Sequence, residues 1–404
     1  LYLVDLHLDA SALAAALLHD VVEDCGVDPE ELKVSFGQEI GRLVDGVTKL
    51  GVAGRRGRQG ENQIKGQGYK AIRQTESMRK MLLAMAQDIR VVLIKLADRL
   101  HNMKTLEPLS EHRRLAIAQE TLDIYAPMAH RLGIWHIKWQ LEDLAFRYLQ
   151  PEDYERVSNL VVANRIEQEQ YIERVIGVLQ EEFQKVGILA EVTGRPKHLY
   201  SVFKKIEKYA TRGKDFAQIY DLLAVRVVVN EVQECYSALG TVHHLWRPLS
   251  GQFDDYIANP KENLYQTLHT AVMCIGGTPL EIQIRTHEMH RVAEYGVAAH
   301  WHYKEGSKGT LDYEHQMGWL RELLKSQRDM TGADEFVETV KMDLFSDQVF
   351  IYTPKGEVKE LPSGSTSLDF AYRIHTDLGH RCVGAKINGK LVPLNSILQN
   401  GDTV

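Results

Sequence analysis

Four ionisable residues interrupt an apolar run near the start of the chain, at His19, Asp20, Glu23 and Asp24. Leucine, valine and alanine recur around them at helical spacing, which predicts a helix packed into a core. Residues four positions apart share one face of a helix, so His19 would stand beside Glu23. Buried carboxylates next to a histidine are costly unless they are paired, hydrogen-bonded or bound to a cation. The run therefore predicts a divalent-metal site, with a helix cap or a solvated helix end as the alternative.

Residues 90–106 repeat this combination of an apolar stretch and clustered polar residues. Asp98 and Asn102 lie four positions apart, again on one face of a predicted helix. With His-Asp-Val-Val-Glu-Asp at 19–24, Asp-Gly-Val-Thr-Lys-Leu at 45–50 and Leu-Ala-Asp-Arg-Leu-His-Asn at 96–102, the chain resembles the HD metal-dependent phosphohydrolases. Among them it is similar to the hydrolase domain of the long RelA/SpoT homologues, which remove pyrophosphate from ppGpp and pppGpp.

This resemblance implies a manganese site and a nucleotide pocket in an all-α first domain. The manganese ligands would be His19, Asp20 and Asp98. Glu23 and Asp24 would orient and activate the attacking water. The nucleotide pocket would be lined by Lys49, Asn102 and Thr105.

One ligand of the family's metal site has no counterpart here. The family takes a further histidine upstream of the His-Asp pair, whereas only His7 precedes His19 and its spacing is wrong. We therefore predict that His7 is a surface residue and that the sequence lacks its natural N-terminus. A hydrolase that has lost its activity is the alternative.

Composition limits the class of protein. At 404 residues, with 44% hydrophobic and 25% charged residues, the chain has an ordinary globular composition and room for about two to four domains. No apolar run approaches the roughly 18 residues of a membrane span, so we expect a soluble protein with no membrane partner. The four cysteines are dispersed, which favours the reducing cytoplasm over a disulfide or zinc framework. A net charge of −7 argues against indiscriminate nucleic-acid binding.

The pattern of apolar residues changes along the chain from helical to mixed. After Gly187, short β-branched runs at 188–192, 223–229, 268–274 and 280–284 predict strands, and 199–209, 231–245 and 287–303 predict helices. Val-Phe-Ile-Tyr-Thr-Pro-Lys-Gly-Glu-Val, from 349, predicts a hairpin. The expected organisation is an all-α domain at 1–150, a helical connector at 151–186, an α/β domain at 187–305, a helical linker at 306–345 and a small α+β domain at 346–404.

A basic turn opens the α/β domain. Between 194 and 214 the chain carries seven Lys or Arg residues against one acid. The stretch Gly194–Ser201 leads into a predicted helix, and backbone N–H groups together with cations at such a helix start could hold polyphosphate. A solvated basic face is the alternative. Asp221 and Glu281 adjoin apolar strands, where an acid is costly as core, so a metal or catalytic role is plausible for both.

In this region the chain resembles the synthetase domain of the same RelA/SpoT family, whose mixed sheet is similar to that of nucleotidyltransferases. The motifs include Gly-Arg-Pro-Lys-His-Leu-Tyr-Ser at 194–201, Leu-Glu-Ile-Gln-Ile-Arg-Thr at 280–286 and Glu-Tyr-Gly-Val-Ala-Ala-His-Trp at 294–301. The resemblance implies transfer of pyrophosphate from ATP to the ribose 3′-hydroxyl of GDP or GTP.

Site residues follow from that resemblance. Asp221 would hold Mg²⁺, and Glu281 would share the metal or accept the proton of the 3′-hydroxyl. The nucleotides would be bound by Arg195, Lys197, His198, Ser201, Lys205, Lys261, Asn263, Tyr265 and His269, with Tyr265 stacked on guanine. Gln-Phe-Asp-Asp at 252–255 is closer to the acidic form found in synthetase-only members, which favours a second Mg²⁺.

Residues 347–404 resemble a TGS domain, a small ubiquitin-like module, through Leu-Asp-Phe-Ala-Tyr-Arg-Ile-His-Thr-Asp-Leu-Gly-His at 368–380. In this family the module contacts uncharged tRNA on the ribosome, and His375 would make such a contact unless it is a structural histidine. We therefore predict a bifunctional alarmone synthetase and hydrolase of the cytoplasm. The alternatives are a synthetase with a defective hydrolase and a ribosome- or tRNA-binding regulator with relic catalytic sites.

Overall fold

The computed structural model describes residues 1–56, 84, 87–163, 165–195, 198–210, 223–261, 263–299, 348–356, 358–399 and 401–404. The chain divides into two compact units, Leu1–Lys325 and Ser326–Val404. Within the described ranges, no helix combines the length and the apolar character that crossing a membrane requires. The predicted linker at 306–345 lies outside the described residues.

The first unit begins with helices, as predicted. They are α1 (Tyr2–Asp5), α2 (Ala10–Leu18), α3 (Val21–Cys25), α4 (Pro29–Phe36), α5 (Gln38–Arg56), α6 (Ile89–Lys104), α7 (Glu111–Glu120), a π-helical turn (Thr121–Tyr125), α8 (Ala126–Arg131), α9 (Trp135–Leu149), α10 (Pro151–Ala163) and α11 (Arg165–Lys185). Helix α6 runs through the core, where Val92, Leu93, Leu96 and Leu100 are fully buried.

The continuous helix predicted around His19 is wrong. Helix α2 ends at Leu18, and α3 begins at Val21 with Asp20 as its N-cap residue. Leu17, expected in the core, is 86% exposed. His19 lies in the turn between the two helices. Its nearest carboxylates are those of Asp20 and Asp98, and not that of Glu23 four residues on.

A five-stranded mixed sheet follows, in the order β1-β2-β5-β4-β3. Its strands are β1 (Glu191–Gly194), β2 (Ala224–Val229), β3 (Arg247–Asp255), β4 (Leu268–Met273) and β5 (Pro279–Thr286), and its helices are α12 (Leu199–Ala210), α13 (Val232–Leu245) and α14 (His287–Tyr295). Strands β2 and β5 are parallel, and the other pairs are antiparallel. Strand β3 was missed in the sequence because it is a mostly exposed edge strand containing Pro248 and Gly251.

The two faces of this sheet differ in chemistry. Val225, Val227, Ile282 and Ile284 pack into one core with residues of α11 and α13. Because side chains alternate along a strand, the intervening residues project from the opposite face. The registers Ala224↔Glu281, Arg226↔Gln283 and Val228↔Arg285 bring the polar residues of β2 and β5 side by side. We call Arg226, Glu281, Gln283 and Arg285 the polar face.

The second unit is built from two hairpins and two short helices. These elements are β6 (Gln348–Tyr352), β7 (Val358–Pro362), α15 (Ser367–Ile374), α16 (Thr376–Arg381), β8 (Ala385–Ile387) and β9 (Lys390–Val392). Strands β6 and β7 form the predicted antiparallel hairpin. The core of this second unit consists of Val349, Ile351, Leu361, Phe370 and Leu398.

Two glycines allow the helical part and the sheet part of the first unit to meet. Helix α14 ends at Tyr295, short of the predicted 303, because Gly296 adopts φ 55° and ψ −133°, a conformation that glycine alone readily adopts. The Gly296 backbone lies directly against the carbonyl of Leu132 and against Gly133. Beside it, the Val297 N–H donates to the Leu132 carbonyl at 3.0 Å. This contact joins the turn before α9 to the turn after α14.

Replacing Gly296 by alanine should therefore destabilise the first unit. The added Cβ would overlap the Leu132 carbonyl, and the backbone conformation would be strained, so we expect a loss of at least about 2 kcal/mol in unfolding free energy. The matched control is Gly276→Ala, at φ 68° with nothing within 4 Å of the added carbon. Chemical denaturation followed by tryptophan fluorescence measures both; equal losses would contradict the steric argument.

Candidate active sites

A histidine faces two carboxylates between α2 and α6. The Nδ1 atom of His19 lies 2.8 Å from the Ala16 carbonyl, which makes Nδ1 the donor. Its Nε2 atom lies 3.0 Å from Asp20 Oδ2 and 3.5 Å from Asp98 Oδ1. Nε2 is buried and has no hydrogen-bond partner among the described residues. A lone pair aimed at two anionic oxygens is unfavourable unless a proton or a cation lies between them, so the group fits a bound cation.

The side chains around Asp98 complete this group. Burial alone would raise the pKa of Asp98, but His19 and Lys95 hold it well below its usual range. The Lys95 ammonium lies 2.7 Å from one carboxylate oxygen, and Asn102 Nδ2 donates to the other at 2.8 Å. The contact with Asp98 in turn raises the pKa of His19. Across the part of the chain that the structure describes, no set of three His, Cys, Asp or Glu residues already stands as a complete metal site.

The other residues predicted for this site are placed as follows. Glu23 is half-buried and Asp24 exposed on α3. Lys49 lies 2.6 Å from Asp45 on its own helix, and the Thr105 hydroxyl donates to the His101 carbonyl at 3.2 Å. His7 is exposed, as predicted.

A largely apolar cavity adjoins the histidine. It has a volume of about 410 Å³, within the range of small-ligand pockets. Its lining includes Leu13, Leu17, Ile94, His19, Asp98 and His101. His101 was given no role from the sequence, although it lies three residues beyond Asp98 on α6. The cavity could receive an apolar or aromatic part of a ligand whose anionic part lies near His19.

The polar face of the sheet is a second candidate site. Glu281 Oε1 accepts a hydrogen bond from Gln283 Nε2 at 2.6 Å and lies 3.8 Å from Arg195 Nη1. Arg226 and Arg285 share the Glu294 carboxylate, at 3.1 and 3.5 Å. Sequence reasoning missed Arg226, Gln283 and Arg285. Their signal was the polar residue at alternate positions of otherwise apolar strands, Ala-Val-Arg-Val and Ile-Gln-Ile-Arg.

Positive charge exceeds negative charge on this face. Arg285 is 2% exposed, and burial lowers its pKa to about 10. The Nε atoms of Arg226 and Arg285 have no hydrogen-bond partner among the described residues, and neither does the Gln283 side-chain oxygen. Buried guanidinium groups without full pairing are costly, and an anionic ligand would offset that cost. The arrangement therefore suits a polyphosphate.

Aromatic side chains lie at one edge of the polar face. The Tyr265 hydroxyl lies 3.0 Å from His269 Nε2, and burial lowers the pKa of His269 to about 4. The Tyr265 ring is 9% exposed and lies 6.2 Å from the ring of Trp135 on α9. Asn263 Nδ2 donates to the His130 carbonyl at 3.3 Å. Lys261 Nζ lies 4.3 Å from the centre of the Tyr256 ring. These predicted nucleotide-binding residues are thus gathered together, and Tyr265 and Asn263 also contact the helical part.

Residues predicted to bind polyphosphate are partly engaged elsewhere. The Leu199 and Tyr200 N–H groups, at the start of α12, donate to the Asp143 carboxylate of α9, so these two backbone donors are already paired. His198 stacks on Trp139, with the ring centres 4.2 Å apart. Ser201 and Lys205 are half-buried on α12. Lys197 and Asp221 lie outside the described residues.

Two further residues with predicted binding roles, Asp255 and His375, make local structural contacts. Asp255, in the acidic stretch expected to favour a second Mg²⁺, accepts from the Ile257 and Ala258 N–H groups and from the Tyr236 hydroxyl. His375 caps α16 by accepting from the Asp377 N–H, and its side chain is 69% exposed. That cap supports the alternative that His375 is a structural histidine. Its exposed ring is also compatible with the predicted contact to tRNA.

Comparison with known proteins identifies the domains. Family models match an HD domain at residues 1–135, the region found in RelA/SpoT proteins at 194–308 and a TGS domain at 349–404. A GTP pyrophosphokinase of Myxococcus xanthus is 48% identical over 400 residues, covering 99% of this chain and 51% of the relative. The chain belongs to the RelA/SpoT family. It spans about half the length of the curated relatives it matches.

Two other relatives are named for hydrolysis, one of them together with synthesis. The bifunctional (p)ppGpp synthase/hydrolase of Mycobacterium tuberculosis is 46% identical, covering 100% of this chain and 53% of the relative. The guanosine-3′,5′-bis(diphosphate) 3′-pyrophosphohydrolase of Aquifex aeolicus is 48% identical, covering 100% and 55%. Among solved structures, the small alarmone synthetase 1 of Bacillus subtilis matches with 21% identity, 45% of this chain, 99% of that chain and a TM-score of 0.29, which is too low to argue from.

The buried histidines make stability depend on pH. Burial lowers the pKa of His130 to about 3 and those of His198, His269 and His290 to about 4, against 6.5 for an ordinary histidine. Between pH 6.5 and about 4 the unfolded chain therefore binds more protons, and each histidine removes up to about 1.4 kcal/mol of stability per pH unit as pH falls. Burial also lowers the pKa of His243, so five histidines act in this direction, and His19, whose pKa is raised, acts in the opposite one.

We therefore expect the urea midpoint of the first unit to fall between pH 7 and pH 5. The variant His269→Gln should show a shallower fall of the midpoint, because one of these histidines is gone. A midpoint independent of pH over this range would contradict the assignment of neutral buried histidines.

Proposed function

We propose that the polar face of the sheet catalyses transfer of pyrophosphate from ATP to the 3′-hydroxyl of GDP or GTP. The observation that carries this proposal is the excess of buried, incompletely paired arginine over the two nearby carboxylates, Glu281 and Glu294. Arg195, Arg226 and Arg285 would stabilise the negative charge of the triphosphate as it develops in the transition state. Glu281 would accept the proton of the 3′-hydroxyl while that oxygen attacks the β-phosphorus of ATP. The bond from the β-phosphorus to the oxygen bridging the α-phosphate breaks, and AMP leaves.

Magnesium is part of this proposal. Mg²⁺ held by Asp221 and Glu281 would withdraw charge from the triphosphate. Support comes from Glu281 itself, whose side chain is mostly buried and whose N–H donates to the carbonyl of Leu223 at 3.1 Å. Leu223 follows Asp221 by only two residues. The acceptor guanine would stack on Tyr265, beside Lys261, Asn263 and His269.

Replacing Glu281 by glutamine should lower alarmone formation at least about a hundredfold, because the amide cannot accept the proton. Product formation from ATP and GDP by the purified chain is the measurement. The control is Glu191→Gln, at an exposed position of the edge strand β1, which should retain full activity. Transfer by Glu281→Gln at the wild-type rate would refute the role of Glu281.

We propose hydrolysis of the 3′-pyrophosphate of ppGpp and pppGpp as a second activity, at the group formed by His19, Asp20 and Asp98. The buried His19 Nε2 facing two carboxylates supports a cation there, and Mn²⁺ is the ion that we propose. Glu23 and Asp24 would orient and activate water, and the adjacent cavity would receive the nucleoside. Lys49, Asn102 and Thr105 would contact the nucleotide.

The variant Asp98→Asn should weaken this second activity without affecting synthesis. Losing one charged ligand should lower manganese affinity by at least about 10–100-fold, since even residues that only orient a ligand cost that much. Manganese binding by calorimetry and ppGpp breakdown are both measured, with Glu31→Gln, exposed on α4, as the control. Unchanged manganese affinity in Asp98→Asn would remove Asp98 from the site.

Partners and location complete the proposal. We propose that the TGS domain contacts uncharged tRNA on the ribosome, partly through His375, and that the protein acts in the cytoplasm, consistent with its dispersed cysteines. The competing function is a tRNA- or ribosome-binding regulator with relic catalytic sites. A nucleotide-turnover assay separates the two, because a relic would bind nucleotide without converting it.

A further inference from the structure

The basic turn of the synthetase domain is held at both ends by other parts of the fold. At its start, the Arg195 N–H donates to the Ala224 carbonyl of β2 at 2.9 Å. At its end, the first residues of α12 are held by α9, a helix of the N-terminal helical region. The turn that presents Arg195 to Glu281 thus has one anchor in its own sheet and one anchor outside it.

The outside anchor consists of three neighbouring contacts along α9. Trp139 stacks on His198 with the two rings 8° from parallel. One turn further on, Asp143 Oδ1 accepts from the Tyr200 N–H at 2.8 Å, and Oδ2 lies 3.4 Å from the Leu199 nitrogen. Below them, Phe146 stacks on Phe203 at 4.6 Å and is 1% exposed.

The Asp143 carboxylate performs the task of an N-cap residue from a different helix. The first N–H groups of a helix lack partners within it, and a carboxylate there satisfies two of them and interacts favourably with the helix dipole. The residue directly before α12, His198, has its ring stacked on Trp139 of α9. The start of α12, and with it the direction of the turn, therefore depends on α9.

We propose that Asp143 is a positioning residue for ATP binding, which holds the start of α12 so that Arg195, Ser201 and Lys205 converge on the polyphosphate. This inference rests on the proposed synthetase function. Asp143 would not touch ATP. Since its carboxylate occupies the helix N-terminus, phosphate would be bound by side chains of the turn and of α12. Without the cap, the turn would also populate other conformations. The apparent affinity for ATP would then fall in proportion to the fraction of molecules that keep the binding conformation.

The experiment compares Asp143→Ala, Asp143→Asn and the wild-type chain. Asparagine retains an oxygen that can accept the 2.8 Å bond from Tyr200, so it should restore most of what alanine loses. For Asp143→Ala we expect the KM for ATP to rise about two- to thirtyfold, the range of helix-cap losses, with the KM for GDP unchanged. The matched control is Glu231→Ala, which removes the capping box of α13 in the same domain. It should lower stability without changing the KM for ATP.

Hydrogen exchange at the Leu199 and Tyr200 amides provides a readout independent of turnover. Both amides should be protected in the wild type, exposed in Asp143→Ala and protected at least in part in Asp143→Asn. Unchanged protection in Asp143→Ala would overturn the cap. Lost protection with an unchanged KM for ATP would overturn the positioning role, and a lower KM would mean that Asp143 competes with phosphate. A wild-type chain that transfers no pyrophosphate would instead refute the proposed function, while the exchange result would still decide the cap.

Discussion

The first unit depends on the packing of helix α9 against the sheet domain. The polar face of the sheet is largely buried, so its arginine and carboxylate groups need partners from the elements that cover it. Helix α9 and the turn before it supply part of that cover: Phe146 packs into the core beside α12, Trp135 lies by Tyr265, and Gly133 lies against Gly296. The two glycines matter because any side chain at Gly296 would force this contact apart.

The two candidate sites have opposite electrostatic character. Around His19, two carboxylates face one ring nitrogen, which suits a cation. On the sheet, three arginines outnumber the nearby acids Glu281 and Glu294, which suits an anion. Each site leaves a buried polar atom without a partner among the described residues, and the kind of atom indicates the charge of the ligand. A chain that handles a metal and polyphosphorylated nucleotides needs both kinds of site.

Much of the site could be predicted from sequence because it lies in short, ordered motifs. The strand carrying Glu281 and the helix carrying Asp98 were expected from periodicity, and both are confirmed. Predictions failed where long-range contacts decide the outcome. The apolar periodicity runs through the helix break at His19 and Asp20 without marking it, and edge strand β3 has too few buried residues to show a pattern. Asp143 was missed because a helix cap is normally sought next to the helix that it caps.

The sequence by itself determined the three-domain composition, the alternation of helix and strand, and the identity of the chemical groups in each motif. These are local properties, set by spacing and by residue type. Only the tertiary structure decided which groups meet: that His19 faces Asp98, that Arg226 and Arg285 share Glu294, and that Asp143 caps a helix 56 residues away. The burial and the pKa values of these side chains follow from those contacts, because desolvation and neighbouring charge depend on distance in space and not on distance along the chain.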